Sequence, residues 1–250
     1  MEKIMEDLKV LSKLKDRFEK LLLQEGSAEK WFDSIMGQIR YYQMTQQKFP
    51  DAILLSFVLA QISGLWSKLE KNKQGVIENF IDSPDVKQTF FDYLESMVRQ
   101  GQEAKQVVSV YLGLRAVALA KISGFWMRFP PKAKKELAQI INSKEFKNNW
   151  LASMRSGLKS ITSQGGKYKG SAQSVLEAYW ALINSSIWLK SDRMYCREFE
   201  QEIIEDEARS AVIQTCESKL AIPFAIDVYI ELFVYLENYL TLIERKTKKV

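Results

Sequence analysis

Residues 59–69 read LAQISGLWSKL and residues 119–129 read LAKISGFWMRF. The offset of sixty persists downstream, where Ile77, Phe80, Ile81, Ser83, Lys87, Phe90 and Phe91 fall opposite Leu137, Ile140, Ile141, Ser143, Lys147, Trp150 and Leu151. An echo of this kind marks a duplicated structural unit, each copy needing a neighbour to cover its apolar face. Glycine (11) and proline (5) are scarce in the 250 residues, so turns are few and long helices are favoured. The expected fold is all-α, with tandem repeats of sixty residues forming a bundle or short solenoid. Sixty exceeds the periods of the common helical arrays, about 33 to 47 residues.

Two full copies are expected at about 46–105 and 106–165, a degraded copy at about 172–220 and a closing helix at 223–246. Together they make a helical-repeat domain over 26–250, preceded by an amphipathic helix over 1–25. In the degraded copy Ala181, Ser185 and Trp188 match Ala120, Gly124 and Trp126, and Ile203 and Ile204 match Ile140 and Ile141. Partial copies lie at both ends. Leu21, Leu22 and Phe32-Asp33 match Phe80, Ile81 and Phe91-Asp92, while Pro223, Leu232 and Tyr239 match Pro50, Leu59 and Trp66.

Ile4, Leu8, Leu11, Leu14, Phe18 and Leu21 recur at steps of three and four, so the first helix carries one apolar stripe. That stripe is expected to pack against the first repeat, with a coiled-coil seam as the alternative. Within the repeat a long helix is expected over about 106–128. There Ala120 and Gly124, matched by Ala60 and Gly64, would let another backbone approach closely, with Trp66 and Trp126 filling the space beside it. Asp82-Ser83-Pro84-Asp85 and Asn142-Ser143-Lys144-Glu145 read as helix starts capped by Asp82 and Asn142. Pro84 then takes the first helical position, where its missing donor costs nothing.

The chain contains no histidine. That removes Ser-His-Asp and Cys-His nucleophile pairs, His-ligated zinc and Glu-x-x-His di-iron helices. Cys196 and Cys216 read as core thiols on neighbouring helices, and so few cysteines fit a reducing compartment. The carboxylates Glu198, Glu200, Glu202, Glu205, Asp206 and Glu207 form the densest acidic cluster. A solvated face paired with Arg193, Arg197 and Arg209 is the expectation there, and cation ligation the alternative. Gly165-Gly166-Lys167 lacks the rest of a phosphate-binding loop. No catalytic residue, cofactor or metal ligand is therefore expected, and the chain reads as a non-enzymatic cytoplasmic protein.

Net charge is +5, unevenly spread. Residues 128–169 hold ten basic residues against Glu136 and Glu145, an excess of eight, whereas 192–217 hold eight acids against three arginines. The expected contact surface comprises Lys132, Lys134, Lys135, Lys144, Lys147, Arg155 and Lys159, with Lys167, Tyr168 and Lys169 on an adaptable loop. Its expected partner is a protein with an acidic surface, the chain acting as an adaptor or accessory subunit. Nucleic acid is the alternative, with Trp150 or Tyr168 available for stacking, although Trp150 aligns with Phe90 and so reads as core. A peripheral membrane role through the first helix is the third reading, and self-association stays open. The most apolar stretches contain Arg115, Lys121, Asp227, Glu231 and Glu237, which suits buried bundle helices better than membrane spans.

Overall fold

The computed structural model describes residues 2–45, 51–103, 107–162, 171–185, 193–221, 223 and 225–248. These residues are all-helical, with no strand among them. The helices are α1 (Glu2–Leu23), α2 (Ser27–Thr45), α3 (Asp51–Ile62), α4 (Lys71–Ile81), α5 (Pro84–Gln102), α6 (Val107–Ile122), α7 (Phe125–Arg128), α8 (Pro131–Asn142), α9 (Lys144–Thr162), α10 (Ser171–Ser185), α11 (Arg193–Glu202), α12 (Asp206–Ala221) and α13 (Ile226–Thr247). A 3-10 turn, Trp66–Lys68, links α3 to α4.

Helix α3 is buried almost all round, from Ile53 to Ala60, as expected of a helix with no polar face. It belongs to a central set. α6 packs on α3 and on α10, α10 packs on α13, and α13 returns to α3. Arg115 meets Glu177 while Lys121 meets the carbonyl of Ser185, so α6 and α10 run parallel. Gln173 meets Glu231 while Trp180 meets Tyr235, so α10 and α13 run parallel too. Around this set α5 covers α6, α8 covers α5, α9 covers α6 and α10, and α11 and α12 cover α9.

Helix α1 departs from expectation. Its stripe of Leu11, Leu14, Phe18 and Leu22 is buried, but mainly against α13 and α12, at the opposite end of the chain, and less against the adjoining α2. Phe18 lies 5.9 Å from the Tyr229 ring and Lys15 lies 3.6 Å from Glu237, so α1 and α13 are antiparallel. The chain's two ends are therefore stitched together. Helix α13 runs through the basic residues near its end to Thr247, with Arg245 and Lys246 pairing with Glu200 at 2.5 Å and 3.1 Å.

The expected long helix over 106–128 is two. Gly124 adopts φ +77° and breaks the run between α6 and α7, and Gly64 takes the same φ between α3 and the 3-10 turn. A Cβ at either glycine would meet nothing within 4 Å, so these residues supply a left-handed turn rather than a close helix contact. The close approach is at Gly113, where a Cβ would stand 3.1 Å from the Met97 carbonyl oxygen on α5. The caps also shift by one. Ser83 and Ser143 accept from the backbone N–H groups of Val86 (3.4 Å) and Phe146 (3.1 Å), while Asn142 donates back to the Ala138 carbonyl. Pro84 occupies the first helical turn as expected.

These glycine geometries predict opposite signs for one substitution. Gly124→Ala should lower stability by about 1 kcal/mol, because an L side chain is strained at positive φ. Gly75→Ala, inside α4 and facing open space, should raise it by about 0.5–1 kcal/mol. Urea denaturation of both variants checks the pair.

Candidate functional site

Helices α8 and α9 carry the described part of the expected basic surface. Lys132, Lys135, Lys144 and Lys159 are exposed. Lys134 is half-buried, its ammonium donating to the Met127 carbonyl at 3.3 Å. Lys147 is buried, on the stripe that continues through Trp150, Leu151, Met154 and Leu158. Arg155 is half-exposed and already paired, donating to Glu202 at 2.6 Å and Glu198 at 2.7 Å. Lys167, Tyr168 and Lys169, with their loop, lie outside the described residues. So does Trp188.

The acidic cluster is largely met by distant cations rather than by neighbours on its own helix. Glu198 and Glu202 take Arg155, Glu200 takes Arg245 and Lys246, and Asp206 takes Lys3 and Arg209. Lys3 and Arg209 hold the Asp206 carboxyl below its usual range. Among the described residues no group of acids and thiols has the geometry to hold a metal ion. A cleft of about 430 Å³ separates the two charge signs, with Arg155 and Lys159 on its α9 wall and Glu202, Glu205 and Glu207 opposite. Trp150 is fully buried, its ring 4.9 Å from Phe199, so it offers no stacking face. Cys196 and Cys216 are buried free thiols on α11 and α12, and burial pushes the Cys216 thiol up to about 12. A thiol so protonated is a poor nucleophile at neutral pH.

A second charged group, unexpected from composition, sits where the central helices meet. Arg115 on α6 donates to Asp51 on α3 and, at 2.9 Å, to Glu177 on α10. The Tyr93 hydroxyl donates to Asp51 at 3.1 Å, and burial pushes the Tyr93 pKa well above its ordinary value. On α13, Asp227 accepts from Ser34 and, at 2.9 Å, from Ser56, whose oxygen accepts from the Trp31 indole at 2.9 Å. Glu231 accepts from the Gln173 amide at 2.5 Å. Burial first, then the charges of Glu177 and Asp227, push the Glu231 carboxyl up to about 7, with Gln173 and Arg115 opposing. Arg115, Asp227 and Glu231 were visible as charges inside apolar stretches, and a buried charge needs partners. The partners themselves, Asp51 and Glu177, carry no such signal.

No described helix is long and apolar enough to cross a membrane. Compared with known proteins, the chain matches no family model, no curated protein and no solved structure.

Proposed function

We propose that the chain is a non-enzymatic binding scaffold, an adaptor or accessory subunit whose α8–α9 face meets an acidic surface on another protein. One observation carries this reading. Lys132, Lys135 and Lys144 are exposed and make no ion pair among the described residues, whereas Arg99, Arg128, Arg155, Arg209 and Arg245 are all paired. Sixty positions earlier the corresponding residues are Asn72, Gly75 and Pro84, none of them charged. Unpaired exposed cations at a rim steer an acidic partner. The burial of Trp150 weighs against nucleic acid, which gains affinity from base stacking. The burial of Leu11 weighs against the α1 stripe lying in a bilayer.

The scaffold is read as four related units. Backbone bonds recur at the sixty-residue offset. Ser63 to Leu59 recurs as Ser123 to Leu119, Ser83 to Phe80 as Ser143 to Ile140, and Lys87 to Ser83 as Lys147 to Ser143. The recurrence extends to packing, because α8 lies on α5, α11 on α9 and α1 on α12. With α13 matching α3, and α1 and α2 matching α4 and α5, the fourth unit is assembled from the two ends of the chain. On this reading the stack closes on itself, and α13, α3, α6 and α10 are its four inner helices.

The test is a triple variant, Lys132→Glu, Lys135→Glu and Lys144→Glu, titrated with polyglutamate and with single-stranded RNA. Wild type is expected to bind polyglutamate in low salt, and the variant to bind about ten-fold more weakly or worse with an unchanged helical spectrum. Equal binding by both proteins overturns the assignment. RNA binding that weakens steeply between about 50 and 200 mM salt, without polyglutamate binding, would favour a nucleic-acid partner instead.

A further inference from the structure

We propose that the polar cluster joining α13 to α10, α6 and α3 is a proton-operated clasp, closed when the Glu231 carboxyl holds a proton and loosened when it is ionised. The charges are unequal by construction. Asp51, Glu177, Asp227 and Glu231 converge from three helices, and among the described residues one guanidinium, Arg115, pairs with two of them, Asp51 and Glu177. Arg115 is committed to Asp51 and Glu177, and Asp227 takes two serine hydroxyls. That leaves Glu231, among the described residues, with the neutral amide of Gln173 as its hydrogen-bond donor. Ionised, it would place a further negative charge beside Glu177 and Asp227 with no cation of its own, and protonation is the cheapest relief.

The other charges on helices packed against α13 do not supply that cation. From α1, Lys15 pairs with Glu237 and lies over the Phe233 ring at 5.4 Å. From α2, Lys30 lines the cleft beside Ser34 and Tyr229. From α3, the neighbouring charge is Asp51, itself acidic. Arg245 and Lys246, near the far end of α13, are held by Glu200. The carboxyl is pushed from its ordinary 4.5 to about 7. A group that binds its proton more tightly in the closed form favours closure at low pH. Closure therefore weakens as pH rises from about 4.5 to about 7 and then levels off. This is opposite to the usual behaviour of a paired carboxylate.

The clasp joins α13 to the rest of the molecule, so hydrogen exchange of α13 amides in the full chain is the readout. After correction for intrinsic exchange, opening of α13 is expected to increase about ten-fold between about pH 6 and pH 8, with α5 amides unchanged. Glu231→Gln, neutral at every pH, should remove the dependence. Exchange of α13 that is independent of pH, or that changes equally in the Gln variant, overturns the proposal. Should the variant fail to fold, isotope-edited infrared spectroscopy of the wild-type carboxyls decides. A band titrating near neutral pH supports the clasp, and none titrating above about pH 5.5 overturns it.

Discussion

Arg209→Met is expected to cost about 3–5 kcal/mol of stability, the loss that follows when one partner of a buried ion pair is removed. The Arg209 side chain is 1% exposed and reaches in three directions. It donates to Asp7 on α1 at 2.7 Å, to Asp206 at the start of α12, and to the Ile204 carbonyl in the turn before α12. Methionine fills much of the volume but strands Asp7, whose side chain is 14% exposed. The double variant Asp7→Leu with Arg209→Met should recover most of the loss, because replacing both members of a buried pair by apolar groups is close to neutral. Urea denaturation of the two single variants and the double closes the cycle. A loss under about 1 kcal/mol for Arg209→Met would mean that this contact does not tie α1 down. The outer contact from Lys3 to Asp206 joins two half-exposed side chains and adds little.

That arginine illustrates what the sequence shows and what it hides. Helical content and the apolar stripe of α1 follow from periodicity, and the core position of Trp150 follows from its alignment with Phe90. Lys147 was placed on the contact surface in error, although it precedes Trp150 by three and Leu151 by four and so falls on the buried stripe of α9. The caps were misplaced by one residue because Asp, Asn and Ser all cap well and stand side by side in both copies. Gly124 was ambiguous for a similar reason. A small residue four after Ala120 reads equally as a close-packing face or as a left-handed stop, and only the backbone decides. Charge counting failed differently. Arg155 was counted as free surface charge, yet its acids lie 43 and 47 positions away, beyond the reach of any local rule. The same limit concealed how the central cluster assembles, because Arg115, Asp227 and Glu231 stood out as charges inside apolar stretches while their partners on other helices carry no such signal.

Closure of the chain's two ends makes a prediction that separates a decorative first helix from a structural one. Deleting residues 2–23 uncovers the side of α13 and α12 that shelters Leu11, Leu14, Phe18 and Leu22, all under 5% exposed. At about 1.5–3 kcal/mol for each large apolar side chain, the loss is about 6–12 kcal/mol, comparable with the whole stability of an ordinary domain. The truncated protein is expected to be unfolded or aggregated, as judged by circular dichroism and size-exclusion chromatography. A circular permutant should behave oppositely. Met5 and Lys248 line one cleft, so a short Gly/Ser linker can join the end of α13 to the start of α1 and leave both helices in place. New ends opened within 163–170, between α9 and α10, would then start the chain at a boundary of the proposed units rather than inside one. The permutant is expected to keep the helical spectrum and to melt within about 5 °C of wild type, a shift worth about 1–2 kcal/mol for a chain of this size. Survival of the permutant together with collapse of the truncation is the result a closed four-unit stack requires. A stable, monomeric truncation would mean that α1 is an appendage and that the stack is open.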